Sequence, residues 1–127
     1  GAKAPVIIAG QGVLYAEASD ELVELAELLQ APVTTPLEGK SAFPEDHSLS
    51  LGTGAGVMPP TVHEFLKSAD VVLAVGTSLT RHSIAAAPIP AGKTIIHATS
   101  DERDINKHYV ADFPILGDDK EVLRQLI

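Results

Sequence analysis

The stretch Val6–Leu14, VIIAGQGVL, decides how the chain is read. An apolar, largely β-branched run ends in two glycines with one residue between them. It reads as a buried strand followed by a tight turn. Glycines there either admit the phosphates of a nucleotide or merely let the chain bend, and the sequence leaves both open. The dinucleotide fingerprint G-x-G-x-x-G is incomplete: Tyr15 stands where the third glycine belongs. Gln30 stands where an acid is expected about 20 residues on. No helix is expected directly after the glycines, because Val13–Ala18 intervenes.

Working outward, Pro5–Ala9 is the strand itself. Ser19 is placed to cap a helix, with Asp20 and Glu21 set favourably against the helix dipole. Leu22, Leu25, Ala26 and Leu29 follow at helical spacing. Pro32–Thr35 (PVTT) is a short second strand. A long loop is expected over Pro36–Pro60, of the kind that is functional or lies against a neighbouring domain. Helix resumes over Thr61–Ser68, and Asp70–Val75 (DVVLAV) is the strongest strand. A second loop, Gly76–Gly92, leads to the strand Thr94–His97. A short polar helix at Asp101–Lys107 and a last strand at Phe113–Leu116 follow. Asp118 and Glu121 form a D-x-x-E capping box ahead of Val122, Leu123 and Leu126. Strands alternating with helices imply parallel pairing through crossovers. The fold class is therefore α/β, a three-layer α/β/α arrangement on a parallel, Rossmann-like sheet of about six strands.

Composition agrees. Aromatic residues are 4% with no Trp, so Val, Ile, Leu and Ala must fill the core, which suits parallel strands under helices. The 127 residues suit one domain, 1–127. Nine Lys and Arg against 17 Asp and Glu give a net charge of -8, which argues against a nucleic-acid partner. There are no cysteines, which excludes disulfides, zinc–thiolate sites and thiol catalysis. No apolar run approaches the ~20 residues that span a bilayer, so no membrane role is read and a cytoplasmic protein is expected. The chain stops at LRQLI, inside an expected helix, which suggests an excised domain.

Ligands in open α/β sheets sit beyond the carboxyl ends of strands, near the point where strand order reverses. Four such ends are readable: Gly10-Gln11-Gly12, a glycine loop from Gly52 to Gly56, Gly76-Thr77-Ser78, and Thr99-Ser100-Asp101. The candidates for catalysis are poorer. His47, His63, His82, His97 and His108 include no i, i+4 metal pair. His97, at a strand end, reads as a hydrogen-bonded interior or rim residue. Glu45, Asp46 and His47 follow Pro44 and read as a solvated turn. Ser41, Ser78 and Ser83 lack the G-x-S-x-G elbow that exposes a nucleophile. Around Lys40 the segment EGKSAF lacks the first glycine of a phosphate loop. Arg81-His82 serves binding or packing equally well. No catalytic residue and no metal site is assigned.

Taken in order, five segments resemble the central domain of thiamine-diphosphate-dependent enzymes. They are VIIAGQGV (Val6–Val13), APVTTPLEGKSAFPEDHSLSLGTG (Ala31–Gly54), ADVVLAVGTSL (Ala69–Leu79), TIIHATSDERDINKHY (Thr94–Tyr109) and FPILGDDKEVLRQL (Phe113–Leu126). The family includes acetolactate synthase, oxalyl-CoA decarboxylase, benzoylformate decarboxylase and pyruvate decarboxylase, and the resemblance covers essentially the whole chain.

The resemblance implies a parent enzyme of three α/β domains, a lyase or transferase acting on 2-oxo acids or acyl-CoA, assembled as a homodimer or homotetramer. Thiamine diphosphate and Mg2+ are held by the flanking pyrimidine- and diphosphate-binding domains, whose GDG motif and activating glutamate are absent here. The middle domain, of deoxyhypusine-synthase-like NAD/FAD-binding fold, is implied to be structural. It binds FAD in acetolactate synthase and ADP in oxalyl-CoA decarboxylase. The positions matching its ligand site are Gly10, Gly12, Gly52, Gly76, Asp101 and Asp118, with Ser78 where FAD-binding members carry arginine. Other departures are Thr80 and Arg81 in place of acids, Thr99 in place of an acid, and Glu102 in place of proline; the missing charged anchor weighs against FAD. Two alternatives stay open: a nucleotide-binding module for FAD, ADP or NAD without catalysis, and a free-standing NAD-dependent enzyme.

Overall fold

The structure is a computed structural model and describes residues 4–35, 42–44, 46–53, 60–77, 92–101 and 111–127. Six strands form one sheet: β1 (Pro5–Ala9), β2 (Val33–Thr35), β3 (Ser50–Thr53), β4 (Val71–Val75), β5 (Thr94–Thr99) and β6 (Phe113–Leu116). Four helices accompany them: α1 (Gln11–Tyr15), α2 (Ser19–Leu29), α3 (Pro60–Ser68) and α4 (Asp119–Leu126). The sheet order is β3-β2-β1-β4-β5-β6, and every neighbouring pair is parallel.

The strand sequences explain this order. Central strands of a parallel sheet are covered on both faces and read as continuous apolar runs. β1 (PVIIA) and β4 (VVLAV) are buried at every position after the first. They lie side by side in register from Pro5 with Val71 to Ala9 with Val75. The outermost β6 (FPIL) is exposed at three of four positions, and it tolerates Pro114 because an edge strand has only one partner to satisfy.

Side chains alternate across β1, so its two faces build two cores. Ile7 and Ala9 join Val33, Leu73, Val75 and Ala98 under Val13 of α1, Leu22, Leu25 and Ala26 of α2 and Leu123 of α4. Val6 and Ile8 join Val72, Ala74 and Ile95 under Leu66 of α3 and the following Ala69. Helices thus cover both faces, as the three-layer expectation required. Burying a side chain such as Ile7 contributes about 1.5–3 kcal/mol.

Three expectations are corrected in detail. Pro36–Pro60 is not one loop, because β3 lies within it. SLGT is short and carries a glycine, and it joins the sheet only as an edge strand. It pairs with β2 through a register shift, Val33 opposite Ser50 and Thr34 opposite Gly52, a bulge that the glycine accommodates. Helix does begin directly after Gly10, as the five-residue α1. Ser19 is the first residue of α2 rather than its cap; the cap position is Ala18, whose carbonyl accepts the Leu22 N–H at 3.0 Å. The polar helix expected at Asp101–Lys107 lies, beyond Asp101, outside the described residues.

Candidate functional site

The chain steps outward from β1 to β2 to β3, then returns through α3 to place β4 on the other side of β1. Strand order therefore reverses between β1 and β4. In doubly wound sheets the ligand crevice lies beyond the carboxyl ends of the two strands flanking such a reversal. Gly10, Gln11 and Gly12 follow β1, and Gly76 and Thr77 follow β4, so sequence and topology point to one place.

Backbone hydrogen bonds join the two loops. The Gly10 N–H donates to the Val75 carbonyl at 2.9 Å, and the Gly12 N–H to the Gly76 carbonyl at 2.9 Å. Gly76 in turn donates to the Ala98 carbonyl of β5 at 3.0 Å. The glycines make this approach possible. A β-carbon on Gly10 would stand 2.5 Å from the Gly76 oxygen and 2.7 Å from Cβ of Thr77. One on Gly12 would stand 2.8 Å from Cα of Gly76. Gly76 has φ +67, and a β-carbon there would meet the Val13 nitrogen at 2.7 Å.

A carboxyl group fills the remaining side of the junction. Asp119, the first residue of α4, is 3% exposed. Its Oδ2 lies 2.6 Å from a Gly12 β-carbon position and 2.8 Å from that of Gly76. Its Oδ1 is buried and finds no hydrogen-bond partner among the described residues. Burial, helped by the neighbouring charge of Asp118, raises the Asp119 pKa from 3.8 to about 6.

The other candidates divide. Asp118 is exposed and caps α4, its Oδ2 accepting the Glu121 N–H at 3.3 Å, as the capping motif required. Asp101 is half-buried beyond β5, its N–H donating to Oγ1 of Thr99 at 3.2 Å. Both stand on the rim that holds Gly10, Gly12 and Gly76. Gly52 does not: it lies within β3, two strands from β1, rather than in a loop beyond a strand. Ser78 lies outside the described residues, as do Lys40, Ser41, Glu45, Arg81, His82 and Ser83. Among the described residues no three His, Asp or Glu side chains converge as a metal site.

Two histidines have structural partners. His97 is fully buried on β5, and its Nε2 donates to the Thr77 carbonyl at 2.7 Å, which agrees with an interior or rim residue. His47 is more than a solvated turn. It is half-buried, accepts the Leu49 N–H on Nδ1 at 3.0 Å, and donates from Nε2 to Glu27 of α2 at 2.9 Å. Phe43 packs edge-on against its ring with centroids 5.0 Å apart. Asp119 was missed because a capping motif identifies the cap and says nothing of the next side chain.

Fold and site define a doubly wound α/β domain with a glycine-lined junction at its switch point. A family profile described as the central domain of thiamine pyrophosphate enzymes matches residues 1–126, and the chain belongs to that family. It is 40% identical over 124 residues to the probable acetolactate synthase large subunit of Methanocaldococcus jannaschii, covering 97% of this chain and 21% of that protein. It is 36% identical over 127 residues to the acetolactate synthase of Mycobacterium avium, covering 99% of this chain and 20% of that protein. Benzoylformate decarboxylase from Polynucleobacter necessarius superposes with a TM-score of 0.81 at 26% identity, over 99% of this chain and 24% of that one. The chain thus spans about a fifth of the length of the curated relatives it matches.

Proposed function

We propose that the chain is the structural central domain of a thiamine-diphosphate- and magnesium-dependent 2-oxo-acid decarboxylase or carboligase of acetolactate-synthase type. The observation that carries this reading is the 40% identity, spread over 97% of the chain, to an acetolactate synthase large subunit. On this reading residues 1–127 are one domain of a longer cytoplasmic polypeptide that assembles as a homodimer or homotetramer. Pyrimidine- and diphosphate-binding domains of the same polypeptide flank it. Thiamine diphosphate supplies the electron sink for decarboxylation of the 2-oxo acid, and those flanking domains hold it.

This domain's own residues act as scaffold. His97 ties β5 to the loop after β4, Asp118 starts α4, and Gly10, Gly12 and Gly76 bring the strand ends together. Large apolar side chains left at its surface support a role in positioning neighbours. Tyr15 is 80% exposed, Leu28 61% and Phe113 59%. The test is to supply the full-length polypeptide, flanking domains included, with thiamine diphosphate, Mg2+ and pyruvate. Two pyruvate molecules are expected to give one acetolactate and one carbon dioxide. Failure to release carbon dioxide from pyruvate, benzoylformate or any other 2-oxo acid overturns the reading.

A further inference from the structure

We infer that the β1–β4 switch point of this domain is closed to a nucleotide diphosphate, with Asp119 as the closing residue, so that the parent catalyst works without a bound FAD or ADP at this place. The inference rests on the enzyme reading above. Three features of the junction lead to it.

The first is volume. In dinucleotide sheets the second glycine of the turn is bare so that a pyrophosphate can approach the backbone. Here the bare side of Gly12 is taken by the Asp119 carboxyl and by Cα of Gly76. The second is charge. A phosphate entering this rim would meet Asp119, with Asp118 beside it at the start of α4 and Asp101 beyond β5. Lys120, the cation next in sequence, is paired with Glu21 of α2 at 3.7 Å.

The third is donors, and it is the most direct. A phosphate is held at such a turn by N–H groups aimed at it. The Gly10 and Gly12 N–H groups are already committed to the Val75 and Gly76 carbonyls. Asp119 fits this picture: its Oδ2 lies against the bare sides of Gly12 and Gly76, and its other oxygen, Oδ1, is buried with no hydrogen bond among the described residues. The raised pKa of Asp119 agrees, since donors would lower it. The glycines that suggest a nucleotide in the sequence are thus engaged in contacts between two stretches of the same chain.

The experiment uses the full-length polypeptide, flanking domains included, stripped of nucleotides on charcoal. FAD and ADP are titrated separately by calorimetry. Acetolactate formation is then measured with thiamine diphosphate and Mg2+, with and without FAD. The expected results are no saturable heat at millimolar nucleotide and rates that agree within about twofold with and without flavin. Saturable one-to-one binding of either nucleotide that crosslinks to Gly10–Gly12 or Gly76–Thr77, or a rate restored about tenfold or more by FAD, overturns the inference. Absence of activity under both conditions counts against the enzyme reading instead, and the calorimetry still decides the closure. Asp119→Asn, which keeps the volume and removes the charge, is expected to remain silent in the same titrations; if it binds ADP, closure by volume is wrong.

Discussion

The imidazole of His97 donates from Nε2 to the carbonyl of Thr77 at 2.7 Å, so β5 holds the loop that leaves β4 at the switch point. Nε2 thereby carries a proton, while Nδ1 is buried without a partner among the described residues. His97→Leu removes this donor to the Thr77 carbonyl. It is expected to cost about 1–3 kcal/mol in urea unfolding. His97→Gln, which retains an N–H donor, is expected to cost less. Equal losses for the two would show that the hydrogen bond is not what matters.

Gly76 and Gly92 offer a matched pair. Both have positive φ, +67 and +88, but only Gly76 is crowded; a β-carbon on Gly92 meets nothing within 4 Å. Gly92→Ala is expected to cost about 1–2 kcal/mol from backbone strain alone. Gly76→Ala adds a clash with the Val13 nitrogen and Asp119, and at least twice that loss is expected. Comparable melting temperatures for the two variants would contradict the packing described for the junction.

Asp119 makes stability depend on pH with a defined sign. Its folded pKa, about 6, lies above the unfolded value of 3.8, so the folded protein binds the proton more tightly. Stability contributed by this group therefore rises as pH falls from above 6 towards 4, and the ionised form carries the full penalty above 6. Asp119→Asn is expected to be more stable than the parent at pH 8, by about 1–2 kcal/mol. That advantage should vanish near pH 4. An advantage that is the same at both pH values would refute the assignment.

His47 and Glu27 hold the segment after Phe43 against α2, but the pair is partly solvated, with the Glu27 side chain 55% exposed. A double-mutant cycle on His47→Ala and Glu27→Ala is expected to give a coupling of no more than about 1 kcal/mol. Proteolysis near residues 46–49 should be faster in either single variant. A coupling several times larger would mean that the contact is drier than its exposure implies.

Much of this architecture is legible in the sequence, and the exceptions have physical causes. VIIA and VVLAV announce themselves because a central parallel strand needs apolar residues on both faces. The D-x-x-E cap of α4 is legible because a helix start has a fixed chemistry. β3 is hidden because an edge strand with a bulge needs neither a long apolar run nor strict alternation. α1 is hidden because it is only five residues long and starts without a capping side chain, its Gly12 N–H donating to the Gly76 carbonyl of another loop. The candidate site was half legible. Gly10, Gly12 and Gly76 were placed correctly at strand ends, but whether a ligand or a carboxyl group faces them depends on where α4 crosses the sheet, which no local pattern records.

The register of β1 bears on how the domain is made. The Ala4 N–H reaches Oδ1 of Asp70 at 3.0 Å across 66 residues, and Pro5 opposes Val71. This central strand is translated before β4 and cannot be enclosed until β4 emerges from the ribosome, roughly 3–13 s later at ordinary elongation speeds. Nascent chains stalled ahead of Val71 should leave Val6–Ala9 open to chaperones and proteases, whereas those stalled beyond Ile127 should shield it.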